Sequence, residues 1–141
     1  MKNKGFTLIE LLAVIVILAI IALIATPVIL GIINDARESA KARSAELVVS
    51  TVQRDYLAAY TKNGGNVPTL TQLANAVKDD LSNVKEVTTD TEEGTLTVVT
   101  GDDVTCVFKV DGNRKLVLEG NQCGSISVGT ASVEIGVLSV G

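Results

Sequence analysis

Glu10 is a carboxylate set at the mouth of an apolar run. Met1-Lys2-Asn3-Lys4 and Gly5-Phe6-Thr7-Leu8-Ile9 precede it, and Leu11 to Ile33 follows without a charged side chain. A charge at the centre of a bilayer costs about 2.5–3.5 kcal/mol on insertion scales, and less near the interface. An acid kept there needs a partner, and no basic residue stands between Gly5 and Asn34. The nearest candidate is an α-amino group made by cutting the chain before Phe6. That chemistry is ion pairing, not catalysis. With no histidine in the chain, Ser-His-Asp and Cys-His activation and the usual zinc sets are unavailable. Cys106 and Cys123 alone cannot complete a structural zinc site. Asp79-Asp80 and Asp102-Asp103 are adjacent pairs whose side chains diverge rather than flank a substrate. No Gly-rich phosphate cradle follows a strand. The sequence predicts no enzyme, no cofactor and no metal.

Lys4-Gly5-Phe6-Thr7-Leu8-Ile9-Glu10, with the apolar run and Pro27 inside it, resembles the start of type IV pilins and their pseudopilin relatives. The resemblance covers about the first third of the chain and is carried by the spacing of leader, glycine, aromatic and acid. It implies cleavage between Gly5 and Phe6 by a membrane-bound prepilin peptidase, and N-methylation of Phe6. It also implies that Glu10 neutralises the Phe6 amine of a neighbouring subunit as a helical filament grows from an inner-membrane assembly platform. A bend at Pro27 and Gly31 would be a point of flexibility in such a filament.

The elements that must position these residues follow from hydropathy. Lys2 and Lys4 precede the apolar run, so the positive-inside rule puts the N-terminus in the cytoplasm and the body outside. Leu11 to Ile33 is long enough to span a bilayer as a helix. Pro27 deletes one donor and Gly31 loosens the next turn, which predicts a bend or a melted turn between Leu23 and Gly31. Removing Lys2, Lys4 and Glu10 leaves ten basic and fifteen acidic side chains, so the exported body carries about −5. An acidic surface repels phosphate backbones, which argues against nucleic acid as a partner of this subunit. An even cysteine count outside the cytoplasm favours a Cys106–Cys123 disulfide over two buried free thiols.

Past the membrane the helix is expected to run on to Lys62, roughly 85 Å from Phe6 at 1.5 Å per residue. Glu38, Glu46 and Asp55 alternate with Lys41, Arg43 and Arg54 as a charged outer face. Leu47, Val48, Thr51, Val52, Tyr56, Ala59 and Tyr60 form an apolar stripe at helical spacing. Asn63-Gly64-Gly65-Asn66 stops the helix. Thr69-Leu70-Thr71-Gln72 reads as a capping box opening a short helix with Leu73, Ala74, Val77 and Leu81 on one face. The stretch with Asp79, Asp80, Glu86, Asp90, Glu92 and Glu93 reads as a solvated acidic loop, only faintly like a calcium loop. Strands are predicted over 95–100, 104–110 and 115–119, with a hairpin at Asp111-Gly112-Asn113-Arg114 and a turn at Gly120-Asn121. Val133, Ile135 and Val137 suggest one more strand.

The fold class is α+β: a long N-terminal helix packed on a C-terminal antiparallel meander, the layout the resemblance also implies. Three segments result: a cleaved leader over 1–5, a transmembrane and filament-core helix over 6–33, and an extracellular globular domain over 34–141. The functional expectation is a structural subunit of an extracellular type IV pilus, serving adhesion, motility or uptake. The alternatives are a pseudopilin or minor pilin of a type II secretion or DNA-uptake machine, and a single-span protein displaying a binding domain. Glu10 disfavours the last, because a monomer has no use for it. Four aromatics, Phe6, Tyr56, Tyr60 and Phe108, give no support to an electron path.

Overall fold

The computed structural model describes residues 5–129 and 132–139. The basic leader, Met1 to Lys4, lies outside the described residues. Helix α1 spans Leu8–Lys62 and helix α2 Leu70–Asp80. Six strands follow: β1 Val84–Asp90, β2 Thr95–Thr100, β3 Thr105–Val110, β4 Lys115–Cys123, β5 Ile126–Ser127 and β6 Glu134–Val137. Packing divides the chain into two units, one ending at Glu38 and one beginning at Ser39.

The first unit is helix with no internal partner. From Leu8 to Ile33 nearly every apolar side chain faces outward. Many of these are Ile and Val, weak helix formers in water, but in lipid the backbone must satisfy its own hydrogen bonds. This is the one described helix long and apolar enough to cross a membrane. The melted turn expected around Pro27 is not seen, and helix is continuous from Leu23 through Gly31. Proline removes one N–H, and the Thr26 hydroxyl tightens the turn before it by donating to the Ala22 carbonyl at 2.6 Å.

The second unit holds the core. Val48, Val52 and Tyr56 of α1 and Leu70, Leu73 and Val77 of α2 pack with Leu96, Val98, Phe108, Leu116 and Leu118 of the sheet. Burying each large side chain contributes about 1.5–3 kcal/mol. The stripe differs from the expected one at its edges. Leu47 and Tyr60 are exposed, while Ala45, Val49 and Asp55 are buried. Asp55 therefore leaves the charged face on which sequence pattern placed it. The helix ends as expected in glycines at positive φ, Gly64 at 65° and Gly65 at 84°. Gly65 N–H donates to the Tyr60 carbonyl at 2.9 Å and Gly64 N–H to Thr61 at 3.1 Å, which is a Schellman cap. At the start of α2 the Thr69 hydroxyl accepts from Gln72 N–H at 3.2 Å, and Gln72 Oε1 accepts from Thr69 N–H at 3.0 Å.

The sheet is antiparallel in the order β1-β2-β3-β4-β5, with β6 also paired to β4. Strand β1 occupies what reads in sequence as acidic loop. Val84, Val87, Thr88 and Thr89 carry strand propensity, and the acids point outward along an edge, where charge guards against further pairing. Asp90 Oδ1 accepts from Glu92 and Glu93 N–H at 2.9 and 3.1 Å, so this acid organises the β1–β2 turn. Strand β4 runs straight through Gly120-Asn121 rather than turning there. Both residues have positive φ, 63° and 56°, and serve a bulge instead of a turn. The C-terminal segment closes the sheet along β4: β6 pairs with Lys115 to Val117 and β5 with Gln122 and Cys123. Leu138, rather than Val137, is the buried residue there. Tyr56 donates its hydroxyl to the Val137 carbonyl at 2.9 Å, and a side chain at Gly136 would collide with the Tyr56 ring.

Candidate processing and assembly site

The candidate site is the start of α1. Gly5 and Phe6 precede the helix outside any regular element, and a Cβ at Gly5 would meet nothing within 4 Å. Phe6 is 91% exposed. Glu10 sits in the first turn. Its Oε2 accepts from Thr7 N–H at 3.3 Å, and the Thr7 hydroxyl accepts from Glu10 N–H at 3.2 Å. These reciprocal bonds are a second capping box, Thr-x-x-Glu, satisfying two donors that a helix start leaves orphaned. The carboxylate also lies near the positive end of the helix dipole, which favours it by about 0.3–1 kcal/mol.

Thr7 is a capping residue absent from the sequence expectations. Its signal was present, since Thr7 and Glu10 have the spacing that identified Thr69 and Gln72. Phe6, Glu10, Leu11 and Val14 line one apolar depression of about 420 Å³ on this end of the helix. The structure thus brings Phe6, Thr7 and Glu10 together. A carboxylate offers about four lone-pair sites, so one bond to Thr7 leaves capacity for a cation. Further along the helix, Pro27 and Gly31 lie in unbroken α-structure, with nothing within 4 Å of a Cβ built at Gly31.

In the second unit Cys106 and Cys123 are joined by a disulfide. They are direct cross-strand partners on β3 and β4, both buried. The bridge closes a loop of separation 17, for which chain entropy gives about 3 kcal/mol. It clamps the bulged end of β4, beside β5. Among the described residues no group of three or more His, Cys, Asp or Glu side chains converges as a metal site.

The family model of the prokaryotic N-terminal methylation motif matches residues 1–26. No curated protein and no solved structure matches the chain. The match is the type IV prepilin-like leader signature, and its span includes Phe6, Thr7 and Glu10; the long helix, short helix and antiparallel sheet form a pilin-like layout. It supports a type IV pilin-like prepilin, with processing by a prepilin peptidase and membrane assembly implied. The matched motif is structural, not enzymatic.

Proposed function

We propose that this chain is the repeating structural subunit of an extracellular type IV pilus. One observation carries the reading: an apolar helix whose side chains nearly all face outward holds, in its first turn, a carboxylate that the apolar environment would otherwise exclude. Leader residues 1–5 are removed by cutting before Phe6, which is then N-methylated. Residues 6–33 hold the subunit in the membrane and afterwards bundle with their copies in a dry filament core. Residues 34–141 form the outer surface.

Charge balance supports a role for Glu10 in assembly. The new Phe6 amine is cationic, methylated or not, because an α-amino group titrates near 8. Burying that charge alone costs several kcal/mol. Glu10 of an adjacent subunit offsets it through the carboxylate capacity that its own Thr7 leaves free. The pair is satisfied only at one stagger between neighbours, so it also sets register. Pro27 and Gly31 give the bundled helix a place to bend. The Cys106–Cys123 bridge suits a subunit that must survive outside the cell.

Electron microscopy of sheared surface material, with intact mass of its subunits, tests the proposal. The expected result is filaments of this chain starting at N-methylated Phe6. Filaments whose subunits begin at Met1 would refute the processing. A processed chain confined to the envelope, with no filament outside, would favour the pseudopilin reading.

A further inference from the structure

Asp55 is polar by type and core by position. It is 3% exposed and directly precedes Tyr56 in the stripe that covers the sheet. Its Oδ1 lies 3.7 Å from Nε of Arg54, a loose contact. Its Oδ2 is enclosed and has no hydrogen-bond partner. Arg54 reaches past it, and Nη2 meets Oδ2 of Asp80, the last residue of α2, at 3.1 Å. One guanidinium thus serves two carboxylates. With both acids ionised the cluster carries a net negative charge and one buried oxygen bonded to nothing, a costly arrangement.

We propose that Asp55 retains a proton and donates it to the Asp80 carboxylate, so that a shared proton latches α2 to α1. A protonated carboxyl supplies the O–H donor that a pair of acceptor-only groups lacks. The proton comes from solvent, and no other bond changes. Burial pushes the Asp55 carboxyl up from its ordinary value, the neighbouring Asp80 pushes it further, and Arg54 pulls it back. Lys62 of α1 borders a cavity of about 190 Å³ that Asp55 also lines. Lys78 and Asp79 precede Asp80 on α2. Strand β1, which packs against α2, brings Glu86 and Lys85, and Lys85 is committed to Asp103 at 2.6 Å. A divalent cation suits the place less well. Calcium wants six to eight oxygens, whereas here the Arg54 guanidinium already contacts both carboxylates.

The latch gives stability a definite pH dependence. Because the folded state raises the Asp55 carboxyl, it binds more protons than the unfolded chain does. Stability from this group is therefore full at low pH and declines as pH rises from the unfolded value, 3.8, through the folded one. Asp102 and Asp103 act oppositely. The Ser44 hydroxyl holds Asp102 below the usual range, and the Lys85 ammonium does so for Asp103. Their contribution is present above the usual range and is lost as pH falls through their folded values. Comparing wild type with Asp55→Asn isolates the latch from these background carboxylates.

The test uses the full chain in detergent micelles, disulfide intact, with urea unfolding from about pH 4 to about pH 8. The midpoint of wild type relative to Asp55→Asn should fall as pH rises. Carboxyl-carbon NMR should show Asp55 titrating above the ordinary carboxylate range. Asp80→Asn changes the half-exposed partner, so the test survives if Asp55→Asn does not fold; it should move the Asp55 titration downward. Parallel pH profiles for wild type and Asp55→Asn would overturn the proposal. So would an Asp55 titration at or below the ordinary range. Calcium chloride that raised the wild-type midpoint at neutral pH, and not that of Asp55→Asn, would replace the proton with a metal.

Discussion

The two described helices begin with the same device and differ in one atom of it. At α1 Thr7 pairs with Glu10, and at α2 Thr69 pairs with Gln72. Both boxes close the same two backbone donors at 3.0–3.3 Å. Gln72 shows that the cap needs an oxygen and no charge. The negative charge at position 10 is thus surplus to helix capping, although it sits where charge is expensive. The difference separates two properties of Glu10 that truncating the side chain would remove together: an acceptor for its own helix, and a charge for another chain.

The largest effect should come from Glu10→Gln. Glutamine is an accepted capping-box partner, so it converts the first box into a copy of the second. The start of α1 should persist, and precursor cleavage and membrane levels should stay near wild type. The buried pair with a neighbouring Phe6 amine would be gone, at about 3–5 kcal/mol per subunit, and surface filaments should be absent or sharply reduced by electron microscopy. Glu10→Ala removes both properties and should look no worse in assembly. Filaments of normal number and length from Glu10→Gln would make the acid a helix cap and nothing more.

The two boxes were unequally legible in the sequence, and the reason is physical. Thr69-Leu70-Thr71-Gln72 sits between a glycine-rich stop and a helical apolar pattern, so the spacing had only one reading. Thr7 stands beside a leader glycine and an aromatic, and the acid three residues on has a membrane meaning of its own that masks the cap. Asp55 misled because residue type sets the outer face of a pattern. A 3.6-residue period resolves faces to about one position, and Asp55 is one position from Tyr56. Strand β1 was hidden by its acids, which an edge strand tolerates. Gly120 and Asn121 read as a turn in the sequence, but positive φ serves a bulge as well as a turn. The long helix, the capped short helix, the three central strands and the cysteine pair needed no structure to find.

The middle-sized effect is Thr69→Ala. It removes the hydroxyl that accepts from Gln72 N–H and leaves the second half of the box in place. Losing such a cap typically costs about 1 kcal/mol. The urea midpoint of the purified chain in micelles should fall accordingly, with the slope unchanged. A loss well under half of that would mean that packing of Leu70, Leu73 and Val77 holds the start of α2 without its cap.

The smallest effect is expected from Gln72→Glu, the reverse of the Glu10 exchange. Gln72 Oε1 accepts from Thr69 N–H and from Asn63 Nδ2 at 3.2 Å, and a carboxylate oxygen can take both bonds. A charge in the first turn of α2 meets the positive end of the helix dipole, worth about 0.3–1 kcal/mol when exposed. Lys62 borders the same cavity and adds attraction, while Asp55 borders it too and adds repulsion if ionised. These contributions offset, and the midpoint should move by less than about 0.5 kcal/mol equivalent. A neutral exchange here beside a lost filament at position 10 would show that the same chemical change matters only where a second chain must be met. If Gln72→Glu instead destabilised the fold by more than about 1 kcal/mol, charge would not be interchangeable within the box, and Glu10→Gln could no longer be interpreted as a pure loss of charge.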